Sequence, residues 1–132
     1  MIAPVLNGLT NAERLVIVAA ARHEPVSVRF VPQAQRLAAM HLIDEIAPES
    51  IRPATHRIVW PTASGYALGR AYIEQQRGDV WRALAEKLSK RAADAPTPTE
   101  SACILKFQRR ALQRSMEAAM RCARALEVVG NA

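Results

Sequence analysis

Three histidines, two cysteines and twelve acidic residues are the side chains with which this 132-residue sequence could do acid–base, nucleophilic or metal chemistry. His23, His41 and His56 show no ligand-like spacing with one another or with Cys103 and Cys122. His41 could meet Asp44 or Glu45, an arrangement that reads better as a hydrogen-bonded structural histidine than as a catalytic base. Asp44 and Glu45 are neighbours on an expected strand, so they should point to opposite faces and form no carboxylate dyad. Thr62-Ala-Ser64-Gly65 lacks the glycines and the strand-to-turn setting of a hydrolase nucleophile. Gly65 and Gly69 are not a phosphate loop, because no Gly-Lys-Ser/Thr follows them. The expectation is a protein that is not an enzyme and uses neither metal nor cofactor.

Charge points to a different chemistry. The formal net charge is +6, which favours a polyanionic partner such as nucleic acid. Residues 1–78 hold eight Lys+Arg against six Asp+Glu, and residues 79–132 hold ten against six. Within the second part, Lys106, Arg109, Arg110, Arg114, Arg121 and Arg124 form a basic run opposed only by Glu117. Arg110, Arg114, Arg121 and Arg124 recur at spacings that keep them near one side of a helix. Such a run suits a phosphate track or an acidic protein, and it also suits a plainly solvated face.

Half the residues are hydrophobic but only 5% are aromatic, so Ala, Leu, Val and Ile must build the core. Alanine-rich composition with five glycines favours helices. Cys103 and Cys122 fall on one expected helix, roughly 28 Å apart, which excludes a disulfide within it. Reduced thiols, no basic-then-apolar leader in Met1–Gly8 and no long apolar run together predict a cytoplasmic protein without a membrane segment.

These side chains need elements to position them. Thr10-Asn11-Ala12-Glu13 is a capping box that opens a helix running to about Arg22, with Ala12, Leu15, Val16 and Ala19 as its apolar stripe. Val26, Val28 and Phe30 alternate with Ser27 and Arg29 over Pro25–Val31, the pattern of a short strand. Pro32 suits the first turn of a second helix through Met40, with Ala34, Leu37 and Ala38 inward. Leu42–Ile46 and Arg57–Trp60 are strand candidates around a ten-residue, two-proline loop, Ala47–His56. Thr62 caps a helix over Ala63–Gln76, on which Gly65 and Gly69 give a smooth face for close backbone approach. Tyr66, Ala67, Ala71 and Ile73 are available for packing, and Gly78 ends the helix. Asp79 then caps Val80–Ala93, with Val80, Trp81, Leu84, Ala85 and Leu88 inward. A last helix runs from Thr99 to about Val129, with Leu105, Leu112, Ala119 and Leu126 at sevenfold spacing and Met116 and Ala123 beside them. The companion positions Gln108, Ser115 and Cys122 are weak, so a long free-standing coiled coil is not expected; the helix should pack onto Val80–Ala93 or onto the same pair in a second subunit.

The expected fold is therefore mainly α with a small β-hairpin: a first domain over residues 1–78 and a two-helix C-terminal extension over 79–132. The order helix, strand, helix, hairpin, helix resembles the winged-helix DNA-binding superfamily, in particular the MarR-like and PadR-like bacterial regulators. Leu37 with Leu42-Ile43 is similar to the end of that family's recognition helix, and Trp60-Pro-Thr-Ala-Ser-Gly65 to the turn after its wing. Three features depart from the pattern. His41 stands where the family usually has a glycine at positive φ. Ala39 and Met40 replace basic or polar residues. Only one helix fits between Arg22 and Leu42, where a helix-turn-helix has two.

The resemblance implies a DNA-binding transcriptional regulator of bacterial or phage type, homodimeric through its C-terminal helices. Gln33, Gln35 and Arg36 would face base edges in the major groove. Arg52, His56 and Arg57 would carry the wing to phosphate or the minor groove. Arg110 and Arg114 would add phosphate contacts, and Leu105, Leu112, Met116, Ala119, Ala123 and Leu126 would pair the subunits. The alternative is a protein-binding adaptor, or small phage-type inhibitor, on the same scaffold, with Ala39 and Met40 touching the partner.

Overall fold

The computed structural model describes residues 8–47 and 55–130. The protein is mainly helical with a small antiparallel β element. Helix α1 is Asn11–Ala21, strand β1 is Val26–Ser27, and a single 3₁₀ turn covers Val28–Phe30. Helix α2 is Val31–Ala39, followed by β2, Ile43–Ile46, β3, His56–Arg57, and β4, Val59–Pro61. Two long helices complete the chain, α3 over Ala63–Ala93 and α4 over Pro98–Gly130. No described helix is long and apolar enough to cross a membrane.

The chain divides into two compact units. One holds the described residues up to Ile73 together with those from Ala123 on, and the other is Glu74–Cys122.

In the first unit the capping box closes as its spacing requires. The Glu13 amide donates to Thr10 Oγ1 at 3.2 Å, and the Thr10 amide donates to Glu13 Oε1 at 3.0 Å. This pins Glu13 inward and sets the rotation of α1. The buried stripe is Glu13, Val16, Ile17, Ala20 and Ala21, so the expected stripe through Leu15 is displaced and Leu15 lies in the open. The expected seven-residue strand is also corrected. Only Val26 and Ser27 pair, with Arg57 and His56, and the chain then tightens into the 3₁₀ turn that leads into α2.

Helices α1 and α2 end alike, in Schellman motifs. After α1, His23 donates to the Ala20 carbonyl and Glu24 to that of Ala19. After α2, His41 donates to the Ala38 carbonyl and Leu42 to that of Leu37. The residue at the left-handed position is a histidine each time, with φ 58° at His23 and 60° at His41. The chain then enters β2, which pairs antiparallel with β4. A bulge between Ile43 and Glu45 breaks the alternation, so Asp44 and Glu45 are both exposed instead of facing opposite ways. The returning segment is divided between two separate two-stranded sheets: His56–Arg57, β3, pairs with β1, and Val59–Pro61, β4, pairs with β2.

Thr62 caps α3 by accepting from the Gly65 amide at 3.0 Å. Gly65 and Gly69 meet α1 and the β2 entry: a Cβ on Gly65 would overlap the Leu42 carbonyl, and one on Gly69 would lie 2.6 Å from the Ile17 carbonyl oxygen. The core gathers Val16, Ile17, Leu37, Leu68 and Ile73 around this close approach. Tyr66, expected to pack inward, is exposed.

Gly78 does not end a helix, and Asp79 caps none, because α3 runs unbroken from Ala63 to Ala93. In the Glu74–Cys122 unit its inward residues are Glu74, Gly78, Trp81, Ala85, Leu88 and Ala92, while Val80 and Leu84, expected inside, are exposed. The inward side of α4 there is Ile104, Gln108, Ala111, Ser115, Ala118 and Cys122. Small residues thus face small residues, and Ser115 Oγ donates to the Gly78 carbonyl at 3.0 Å. Buried Glu74 takes Arg121 Nε at 2.9 Å and Arg77 Nη1 at 3.0 Å. Helix α4 begins at Pro98, one residue before expectation, with Thr97 Oγ1 accepting from the Glu100 amide.

Candidate nucleic-acid interface

Helix α2 buries Ala34 and Leu37 and turns the opposite side outward. That open face carries Pro32, Gln35, Arg36, Ala39 and Met40, spaced at three, one, three and one residues, so they form one continuous strip. Gln35 and Arg36 therefore share a surface with Ala39 and Met40, and Met40 is 47% exposed. Gln33 does not belong to the strip. It is partly buried, and its Oε1 is buried without a hydrogen-bond partner, which corrects its assignment beside Gln35.

Arg36 makes a long ion pair with Glu13. Its Nε lies 3.8 Å from Glu13 Oε2, pairing a side chain 70% exposed with one 1% exposed. The Glu13 carboxyl is held below its ordinary value, first by the Thr10 amide, with the Thr10 hydroxyl and Arg36 adding to this against burial. The capping box of α1 and the open face of α2 thus share one carboxylate. Sequence spacing could not reveal this, because Glu13 and Arg36 sit on different helices. Arg29, also missed, lies on the 3₁₀ turn before α2 with its guanidinium 4.8 Å from the Phe30 ring centre. Its signal was present as a cation next to the helix start, hidden by the strand assignment.

On the hairpin, His56 and Arg57 occupy β3 and are half-buried. His56 Nδ1 lies 3.0 Å from Thr55 Oγ1, and Arg57 Nη1 donates to the His56 carbonyl at 3.0 Å. Arg52 and the loop tip, residues 48–54, lie outside the described residues. On β4, Trp60 is 49% exposed, and Ile58 just before it is open too. They border a cleft of about 190 Å³ with His23, Glu24, Pro25 and Val59. The His23 ring stacks with Tyr66, centres 6.3 Å apart. This aromatic surface was missed because Tyr66 was read as core and Trp60 as part of a turn motif.

No family model, curated protein or solved structure matches the chain. What it can do is therefore read from its own residues.

In the second unit, Arg110 is exposed and Arg114 lies with its guanidinium 5.7 Å from the centre of the Trp81 ring. Arg121, on the same side of α4, is committed to Glu74. The residues expected to pair subunits are placed as follows: Leu112, Met116, Ala119 and Ala123 are exposed, and Leu105 and Leu126 are half-buried. Cys122 is half-buried, and its thiol is pushed up by burial and then by Glu74, whereas Cys103 is exposed. Among the described residues no group of three or more His, Cys, Asp or Glu side chains gathers as a metal site.

Proposed function

We propose that the protein is a DNA-binding transcriptional regulator of bacterial or phage type, built on a divergent winged-helix scaffold and acting as a homodimer. One observation carries the reading: Gln35 and Arg36 stand on the open strip of α2, which packs against β2, while His56 and Arg57 lie on β3, just before β2's partner strand β4. The antiparallel β2–β4 pair that follows α2 supports the winged-helix comparison. In the major groove, Gln35 would pair with an adenine edge and Arg36, 70% exposed and 3.8 Å from Glu13, with guanine or phosphate. His56 and Arg57 would meet the backbone, as would Arg110 and Arg114. Random duplex DNA titrated across a salt series tests this. Affinity should fall steeply as salt rises, and Arg36→Ala should weaken binding. Absence of binding at low salt rejects the proposal.

A second reading, a protein-binding adaptor or small inhibitor, is favoured by Ala39 and Met40 on the same strip and by exposed Trp60 and Ile58. Met40→Glu should then abolish capture of the partner by the immobilised protein, and an unchanged set of captured proteins rejects that surface.

A further inference from the structure

Helix α4 carries two seams of three-and-four spacing, offset by one residue and so by about 100° around its axis. The first, Ile104 to Cys122, is the inward seam of small residues. The second passes through Leu105, Leu112, Met116, Ala119, Ala123 and Leu126. Met116 is 68% exposed and Leu112 40%. A seam with this period fits another helix of the same period, and the charges on it say which helix and in which direction.

We propose that this second seam pairs antiparallel with the same seam of a second copy, so that Met116 of each chain faces Ala119 of the other. The inference rests on the homodimer reading above and is independent of DNA binding. Arg109 interrupts the seam near one end. A parallel pairing in register would stack Arg109 on its own copy, placing like charges together. The antiparallel pairing sets Arg109 against Leu126 of the second copy, next to Glu127. It also brings Lys106 on one flank to Glu127 of the second copy, twice by symmetry, with Gln113 and Met120 between these ends. Lys106, Arg109 and Glu127 are exposed. Helix α4 would then use its small residues toward α3 and its larger ones toward the second copy.

The test uses the full chain with Cys103 and Cys122 replaced by alanine. Light scattering should give twice the chain mass, and Met116→Glu should return the single-chain mass with unchanged circular dichroism. An equimolar mixture of Leu112→Cys and Ala123→Cys chains should form a disulfide-linked heterodimer on mild oxidation, while neither variant should cross-link alone. Lys106→Glu should weaken the dimer about fivefold, and adding Glu127→Lys should restore it. A monomeric parent chain overturns both the homodimer reading and the antiparallel pairing. A dimer in which each cysteine variant cross-links alone overturns only the direction, as does a charge reversal that is not rescued.

Discussion

The Thr62 hydroxyl donates to the His41 carbonyl at 2.8 Å while accepting from the Gly65 amide. One side chain thereby joins the end of α2 to the start of α3. The main chain repeats the link, because the Thr62 amide donates to the Leu42 carbonyl at 3.1 Å. Thr62→Val keeps the shape and removes both hydroxyl bonds, so it should cost about 1–2 kcal/mol. Thr62→Ser should cost less than half of that. Urea unfolding of the three proteins measures the difference, and a Val variant as stable as the native protein would show that the hydroxyl bonds contribute nothing.

His23 and His41 occupy left-handed positions that suit glycine. His41→Gly should therefore stabilise the protein by about 0.5–1 kcal/mol. His23→Gly should gain less, because it also gives up the stack on Tyr66. Thermal unfolding followed by circular dichroism orders the two variants, and a destabilised His41→Gly would contradict the left-handed assignment.

The glycines of α3 should answer differently to the same substitution. Gly65→Ala and Gly69→Ala force a methyl group into the Leu42 carbonyl or the Ile17 carbonyl and Ala21, and each should cost about 2 kcal/mol or more. At Gly78 the nearest atoms to an added Cβ lie 3.6 Å away, an ordinary contact. Gly78→Ala should thus stabilise α3 by about 0.5–1 kcal/mol. Denaturation midpoints for the set check the sign at each position.

Acid should unmake the link between Glu13, Thr10 and Arg36. Folding lowers the Glu13 value below its ordinary 4.5, so the folded state favours the ionised form. That stabilisation is complete above the ordinary value and is lost as pH falls through the folded one. Glu13→Gln should be about 1 kcal/mol less stable near neutrality. The gap to the native protein should narrow as pH drops below 4.5. Unfolding free energies at several pH values would reject this if the gap stayed constant.

Local chemistry was readable where one or two residues settle the backbone. The Thr10–Glu13 box, the Thr62 cap and the Gly65 and Gly69 approach follow from short-range geometry, whereas the glycine-like position of His41 was suggested only by the family resemblance. Rotation about a helix axis was harder to read. Leu15–Ala21 is apolar on every side, so hydropathy could not choose between the Leu15 stripe and the one pinned by Glu13. On α4, hydropathy selected the larger residues, whereas two helices that come close require small ones such as Ala111, Ser115 and Ala118. Gly78 looked like a stop for the same reason: in isolation glycine weakens a helix, yet here it lies opposite Ser115 and Ala118. At the candidate interface, Gln35, Arg36, Ala39 and Met40 were found from position in α2. The Glu13 anchor beneath Arg36 depends on a tertiary contact that no local pattern encodes.

The one-residue offset between the two seams of α4 makes that helix sensitive to frame. Substitution at a single site changes one layer, but inserting one residue after Arg110 turns everything beyond it by about 100°. Larger side chains such as Met116 would then rotate relative to the layers before the insertion, so that neither seam would continue across it. Seven inserted residues would restore the phase. Length variation in α4 should therefore be tolerated in steps of seven and refused in steps of one.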